Sequence, residues 1–241
     1  MPEVLAVIPA RWESTRFPGK PLADLAGKPL VWHVCERARE ARLVNRVVVA
    51  TDDERIAAAV REFGGEAVMT STDHASGTDR VAEAVRTLGG DIVVNLQGDE
   101  PLIPPAVIDA VVERIAGDDS IVCATAAAPV EDEAEYADPS AVKVVLDCDG
   151  RALYFSRAPI PHDRDGGFGG ALEHTGIYAF RRDFLDVFTG LEPTPLEERE
   201  KLEQLRMIEH GYRIGVVVSD YRATGVDTPA DLDRVRRIIA D

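Results

Sequence analysis

A chain of 241 residues with 45% hydrophobic content can bury a large core, so the sequence predicts one globular domain or a core that carries a lobe. Acidic residues outnumber Lys and Arg by 43 to 27, and the formal net charge of −16 makes nucleic acid or an anionic membrane an unfavourable main partner. An anionic substrate would therefore need a local cationic pocket. Adaptation to a salty habitat is an alternative explanation of the acidity.

The cysteines and the start of the chain indicate the compartment. Cys35, Cys123 and Cys148 are odd in number and far apart, which favours neither a disulfide framework nor a metal knuckle. The sequence runs into the apolar Val4–Ile8 without a basic leader, and no stretch approaches the roughly 20 apolar residues of a membrane span. We therefore expect a soluble, unexported protein of the reducing cytoplasm, with no membrane partner.

The first half of the chain alternates short β-branched segments with helical patterns. Strands are predicted at Val4–Ile8, Arg46–Ala50 and Ile92–Leu96, and helices at Pro29–Ala41, Glu54–Phe63 and Asp79–Leu88. Apolar segments without polar alternation are typical of strands that are covered on both faces. The sequence thus predicts a three-layer α/β fold with a mainly parallel sheet between helices.

The pattern changes after about residue 125. Val142–Leu146 and Arg151–Phe155 flank a turn-forming segment, Asp147–Gly150, and predict an antiparallel hairpin. The remaining predicted elements are a mobile glycine-rich loop at Asp163–Gly170, strands at Ala171–Phe180 and Arg213–Val218, and helices at Leu196–His210 and Thr228–Ala240. We interpret residues 125–190 as a β-rich lobe of a single domain, 1–241, and not as a separate domain.

The loop after the first strand concentrates positive charge. Arg11, Arg16 and Lys20 lie within ten residues, together with the hydroxyls of Ser14 and Thr15, where open α/β sheets usually bind phosphate. The loop has neither GxGxxG nor GxxxxGK[ST]. Arg can grip phosphate oxygens with two N–H groups and Lys supplies a compact charge, so the cluster is typical of triphosphate binding. The alternative is a solvated loop without a ligand.

Two carboxylates are predicted to face the same crevice. Asp99 follows the apolar strand that ends at Leu96, and Asp227 ends a strand-like segment just before the last helix. Such a pair suits Mg²⁺, which prefers oxygen ligands and keeps waters and substrate phosphates in its shell. From the pattern alone each Asp could instead be a helix cap or a turn former.

Short motifs follow one another along nearly the whole chain. They are Pro9-Ala10-Arg11 with Ser14-Thr15-Arg16 and Pro18–Leu22, then His74–Arg80, Val94–Pro101, Leu153–Arg157, His174–Tyr178, Leu202–Arg206 and Val226–Thr228. In this order they resemble the motifs of the CMP-Kdo synthetases, the cytidylyltransferases that activate 3-deoxy-manno-octulosonate (Kdo) for lipopolysaccharide biosynthesis. The sequence departs from the family pattern at Trp12, Phe17, residues 138–140 and Thr175, but none of these replaces a charged site residue.

The resemblance implies a nucleotide-diphospho-sugar transferase-like, Rossmann-like fold, a homodimer built through the β-rich lobe, and Mg²⁺-dependent transfer of CMP from CTP to the anomeric hydroxyl of Kdo. It implies catalytic roles for Arg11, Lys20, Asp99 and Asp227, with Asp99 and Asp227 holding the metal. Nucleotide contacts are expected from Ala10, Arg11, Arg16, Lys20, Ser71, Arg80, Gly98 and Asp99. Sugar contacts are expected from Gln97, Arg157, His174, Tyr178, Glu203 and Gln204.

Several of these motifs also have plainer interpretations. Ser76 and Asp79 are ordinary helix-capping types, and His174 and Tyr178 share a strand face on which packing residues are common. Glu203 lies in a predicted helix whose charges are mostly solvated. Alternative functions are the same reaction on 8-amino-Kdo or a sialic acid, and a nucleotide sensor without catalysis. The two aspartates argue against a sensor, because sensing needs no metal-activated nucleophile.

Overall fold

The computed structural model describes residues 2–13, 16–74 and 76–240, and the chain forms two compact units. The first unit contains the chain up to Asp109 and again from Ala223 onward, and the second contains Ala110–Arg222. All residues of the predicted β-rich lobe lie in the second unit. The prediction of a single domain that carries this lobe stays a prediction.

The first half of the chain contains these elements in order: β1 Val4–Ala10, β2 Asp24–Leu25, β3 Lys28–Pro29, α1 Leu30–Glu40, β4 Arg46–Thr51, α2 Glu54–Glu62, β5 Glu66–Met69, α3 Gly77–Leu88, β6 Ile92–Asn95 and α4 Pro105–Ala116. The second half contains β7 Cys123–Pro129, α5 Glu133–Ala137, β8 Lys143–Leu146, β9 Ala152–Ser156, β10 Leu172–Arg181, α6 Arg182–Thr189, α7 Pro195–Glu200, α8 Gln204–Glu209, β11 Ile214–Val218 and α9 Pro229–Ala240. Within the described ranges, no helix is long and apolar enough to cross a membrane.

A parallel sheet forms the centre of the first unit. β1 lies between β4 and β6, and β5 pairs with β4, all in parallel register. Val7, Val48 and Val93 at the middle of these strands have no exposed surface, and neither have Val34 of α1 and Val81 of α3. The strands are apolar on both faces because helices cover them. The predicted α/β fold with a mainly parallel sheet is confirmed.

The start of α3 shows how local sequence sets an element boundary. Ser76 Oγ accepts a hydrogen bond from the Asp79 N–H at 3.1 Å, and Asp79 Oδ2 accepts one from the Ser76 N–H at 3.1 Å. This reciprocal capping box satisfies two backbone donors at the helix start, as the capping interpretation of these residues predicts. The helix begins at Gly77, two residues before the predicted start.

Antiparallel pairing dominates the second unit. β10 pairs antiparallel with β7 and β8, β8 forms a hairpin with β9, and β11 runs parallel to β7. The predicted hairpin is therefore confirmed, with Gly150 at a φ of +71° in its turn, a conformation that glycine adopts readily. β7 was not predicted, because its sequence CATAAAP is rich in alanine, which has a low preference for strands.

Two predicted elements are wrong. The helix predicted at Leu196–His210 is two short helices, α7 and α8, because Lys201 between them adopts a left-handed φ of +55° that ends the first one. The segment before Asp227 is not a strand, since Val226 donates its N–H to the Asp99 carbonyl at 2.9 Å instead of entering a strand ladder.

Replacing Ser76 by Ala should lower the free energy of unfolding by about 1 kcal/mol, because the Asp79 N–H loses its side-chain acceptor at the helix start. Urea denaturation measures the change. Ser140→Ala is the matched control, since Ser140 is exposed outside any helix or strand, and it should leave the unfolding midpoint in place. Equal stability of Ser76→Ala and the wild type would contradict the capping role.

Candidate active site

A crevice of about 340 Å³ opens in the first unit where β1 and β6 end. The residues that line it are Pro9, Ala10, Arg11, Arg16, Lys20, Pro21, His74, Ser76, Gly77, Arg80, Gln97, Gly98, Asp99 and Asp227. Ligands of open α/β sheets collect at the carboxyl ends of the strands, which is where this crevice lies. It is therefore the candidate active site.

Lys20 joins the cationic loop to both predicted metal ligands. Its Nζ lies 2.7 Å from Asp99 Oδ2 and 3.2 Å from Asp227 Oδ1. Arg16 Nη1 contacts the other oxygen of Asp227 at 3.0 Å. Residues far apart in the sequence are thus brought to one point, as predicted. Their roles toward a ligand stay predictions.

A tight turn aims Lys20 into the crevice. Gly19 adopts a φ of +72° and starts a 3₁₀ helix at Lys20–Leu22. A side chain at Gly19 would be strained by this φ, and its Cβ would lie 3.0 Å from the Trp12 ring. The Gly19 N–H also donates to the Trp12 carbonyl at 3.0 Å, which closes the loop. The predicted hydroxyls of Ser14 and Thr15 lie outside the described residues, as does Ala75.

A cluster of buried side chains fixes the position of Asp227. Leu232 and Val235 of α9 pack with Leu25, Leu30 and Val226 in a core of the first unit. Because Val226 has no exposed surface and also bonds to the Asp99 carbonyl, the adjacent carboxylate is held beside the loop that carries Asp99. The last helix therefore positions Asp227 through packing, although the preceding segment is not a strand.

Gly98 lies where two backbone segments approach each other closely, and its predicted nucleotide contact stays a prediction. A Cβ at this position would lie 3.0 Å from the Pro9 carbonyl oxygen, so glycine lets the loop after β6 approach the end of β1 without displacing that backbone. Ala10, the last residue of β1, is buried at the base of the same crevice. Gln97 lines it as well. The small side chain of Ala10 and the absence of one at Gly98 leave room for a ligand near the strand ends.

The guanidinium of Arg80 is less available to a ligand than the predicted nucleotide contact implies. Its side chain is 5% exposed, and its guanidinium donates to Asp52 Oδ2 at 2.6 Å and to Thr70 Oγ1 at 2.5 Å. A buried charge needs such partners, so Asp52 offsets much of the positive charge that the wall of the crevice would otherwise carry. A contact between Arg80 and the nucleotide stays a prediction.

Sequence reasoning gave His74 no role, yet it lines the crevice and hydrogen-bonds to Glu83. This bond is the largest cause that lowers the pKa of the Glu83 carboxyl. Only the position of His74 in a family motif pointed to it. Ser71, by contrast, is exposed and does not line the crevice, and its N–H donates to Glu83 Oε2 at 2.9 Å. Its predicted nucleotide contact stays a prediction.

The predicted sugar residues other than Gln97 lie in the second unit. The rings of His174 and Tyr178 share one face of β10 with centroids 5.4 Å apart, and Thr125 Oγ1 lies 2.9 Å from His174 Nε2. Burial lowers the pKa of His174 to about 3 and raises that of Tyr178 well above its usual value. Both rings are therefore uncharged at neutral pH and can offer hydrogen bonds without charge.

Arg157 is held by backbone carbonyls of the second unit. Its guanidinium donates to the carbonyl oxygens of Glu200 at 2.7 Å and Pro139 at 3.0 Å. Glu203 directly precedes α8, and Gln204, its first residue, is buried. The break between α7 and α8 thus places Glu203 at a helix start, whereas the sequence predicted a position on a continuous solvated helix face. Sugar contacts of these residues stay predictions.

Comparison with known proteins agrees with the nucleotide-binding site that the geometry suggests. Residues 5–214 match a family model described as cytidylyltransferase. A 3-deoxy-manno-octulosonate cytidylyltransferase of Anaeromyxobacter dehalogenans (strain 2CP-C) is 57% identical over 100% of this chain and 99% of its own. The protein of that description from Geotalea uraniireducens (strain Rf4) is 52% identical over 97% of both chains. A solved structure of a CMP:2-keto-3-deoxy-manno-octonic acid synthetase complexed with CTP has a TM-score of 0.95 and 45% identity, covering 99% of this chain and 98% of its own.

The fold and the family model define the protein as a nucleotidyltransferase of the cytidylyltransferase class. Within that class, similarity over the full length of its relatives shows that the chain belongs to the family of 3-deoxy-manno-octulosonate cytidylyltransferases, the CMP-Kdo synthetases. The resemblance inferred from the short motifs is confirmed.

A pH-dependent stability is expected from Glu173, which precedes His174 on β10. Burial is the largest cause that raises its pKa to about 7, followed by its hydrogen bond to the Glu135 carboxyl. The folded pKa exceeds the ordinary value, so this group stabilises the fold most at acidic pH, and that contribution is lost as the pH rises through 7. Wild type should therefore lose stability relative to Glu173→Gln between about pH 5 and about pH 8.

Urea midpoints at both pH values measure this effect. Glu133→Gln is the matched control, because Glu133 is exposed in the same unit and its replacement should leave the pH dependence of the wild type unchanged. If Glu173→Gln and the wild type respond identically to pH, Glu173 does not titrate as described.

Proposed function

We propose that this protein joins CTP to Kdo, forming CMP-Kdo and releasing pyrophosphate. The proposal is supported by the names of its full-length relatives and by the CTP complex of the similar solved structure. The observation that carries it is the contact of Lys20 with both Asp99 and Asp227 in one crevice. This arrangement combines a cationic group for phosphate with paired carboxylates, a combination that suits a reaction between a triphosphate and a hydroxyl.

The reaction is a displacement at the α-phosphorus of CTP. The anomeric oxygen of the sugar forms a bond to this phosphorus, the bond to the bridging oxygen of pyrophosphate breaks, and the proton of the hydroxyl is released to solvent. Negative charge grows on the departing pyrophosphate. Arg11 and Lys20 stabilise that charge, with Arg16 assisting, so catalysis rests on placement and electrostatics without a covalent enzyme intermediate.

We further propose that Asp99 and Asp227 hold Mg²⁺. The two carboxylates fit such an ion, because one ammonium nitrogen already lies within 3.2 Å of an oxygen from each. Among the described residues, no group of three or more His, Cys, Asp or Glu could hold a metal ion. Water and phosphate oxygens would therefore complete the shell, as is usual for Mg²⁺. Mg²⁺ held by these carboxylates would lower the pKa of the attacking hydroxyl and offset charge on the α-phosphate.

Lys20 cannot share the position between the carboxylates with a metal ion. A triphosphate in the crevice would offer Lys20 another negative partner, and Asp99 and Asp227 could then hold the ion. The homodimer implied by the resemblance is likewise part of our proposal, and size-exclusion chromatography with light scattering measures it.

Pyrophosphate release tests the proposed function. Each of ATP, GTP, UTP and CTP is offered with Mg²⁺ and with Kdo, 8-amino-Kdo or a sialic acid. We expect release with CTP and Kdo, because the full-length relatives are named for this pair. Faster pyrophosphate release with another sugar would mean that this sugar, and not Kdo, is the substrate. CTP binding without pyrophosphate release with any of these sugars would indicate a nucleotide sensor.

Asp99→Asn should lower the rate of CMP-Kdo formation about 100-fold or more, because a preorganised charge at the reacting centre is lost. CTP binding should fall less, since the cationic loop is retained. Steady-state kinetics and calorimetry separate the two effects. Asp233→Asn removes an exposed carboxylate on α9 and serves as the control that keeps wild-type rates. An unchanged rate for Asp99→Asn would contradict the metal-binding role.

A further inference from the structure

Trp12 contacts the cationic loop at Gly19. The indole lies against Gly19, whose added Cβ would come within 3.0 Å of it, and the Trp12 carbonyl accepts the Gly19 N–H at 3.0 Å. Trp12 therefore contacts the turn from which Lys20 projects. Trp12 stands at one of the positions where the sequence departs from the family pattern.

Arg55 lies over the indole of Trp12. The guanidinium carbon is 3.5 Å from the centroid of the Trp12 ring, a distance at which a cation is attracted to the aromatic face. Neither side chain lines the crevice. The stack is therefore a contact with the loop and not with the space that a ligand would occupy.

Arg55 is itself fixed to a helix. Its Nε and Nη2 donate to the two oxygens of Asp53 at 2.9 and 2.5 Å, a two-pronged pair that sets the plane of the guanidinium. Asp53 also accepts the Arg55 backbone N–H at 2.9 Å and so caps α2. The stack thus ties the loop to the start of a rigid element.

We propose that Arg55 is a positioning residue for the triphosphate site, acting through Trp12 on the loop that carries Lys20. This inference rests on the proposed function. Residues 11–19 form no regular helix or strand where they are described, so side-chain contacts such as this stack add to the backbone hydrogen bond between Gly19 and Trp12 in holding the loop. When the stack is lost, part of the binding energy of CTP is spent on ordering the loop. The ligand contacts of the bound state stay the same.

Kinetics of Arg55→Ala should show a KM for CTP raised about two- to fivefold with kcat nearly unchanged, as expected for an exposed cation–π contact. Arg55→Lys keeps a cation over the ring and should recover part of the loss. Arg61→Ala is the matched control, because Arg61 is an exposed arginine on the same helix that pairs with Glu54. It should leave KM at the wild-type value.

A double-mutant cycle separates positioning from direct ligand contact. In a Trp12→Ala background, Arg55→Ala should raise KM no further, because the two residues act as one unit. Additive effects would mean that Arg55 touches the nucleotide by itself and would overturn the proposal. An unchanged KM for Arg55→Ala in the wild-type background would overturn it as well.

Fluorescence gives a readout that needs no activity. Trp12 and Trp32 are the two tryptophans of the chain, so a Trp32→Phe protein reports on Trp12 alone. Adding Arg55→Ala to it should increase quenching of Trp12 by acrylamide, whereas Arg61→Ala should not. Unchanged quenching shows that the stack does not form, even where CMP-Kdo synthesis is normal. If Arg55→Ala increases the quenching but the wild-type protein has no cytidylyltransferase activity, the stack is confirmed and the proposed function is rejected.

Discussion

The contact of Lys20 with Asp99 and Asp227 is the interaction on which the site depends. It brings a cation from the loop after the first strand together with carboxylates that lie 79 and 207 residues away in the sequence. Each group would be costly to hold near like charges alone, and together they offset one another. In the structure, Lys20 lies between the two carboxylates that we propose as Mg²⁺ ligands.

The charged residues around the crevice differ from the net charge of the whole chain. The formal net charge is −16, yet Arg11, Arg16 and Lys20 face one crevice. Arg80 adds little to that field, because Asp52 neutralises it inside the wall. Lys20 and Arg16 are themselves paired with Asp99 and Asp227, so the positive charge of the crevice is balanced locally by these carboxylates.

The second unit differs from the first in the charge of its predicted ligand-binding residues. Its predicted sugar residues include His174 and Tyr178, which burial holds in their neutral forms. Neutral rings can recognise hydroxyl groups by hydrogen bonding, while an acidic sugar would need a cation elsewhere. Arg157 is the predicted cation, but backbone carbonyls already engage its guanidinium. Recognition of a carboxylate there depends on the N–H groups that those carbonyls leave available.

The sequence by itself determined the parallel strands β1, β4 and β6, the capped start of α3, the hairpin and the position of the cationic loop, because apolar periodicity, capping residues and turn residues act over a few neighbours. It could not reveal β7, whose alanines have low strand preference and are paired by β10 and β11. Only the tertiary structure decided that Lys201 divides a helix and that Asp52 neutralises Arg80. The sequence also predicted that Lys20, Asp99 and Asp227 face one crevice, but the direct contact of Lys20 with both carboxylates needed the fold, because contacts between distant residues depend on packing that no local pattern encodes.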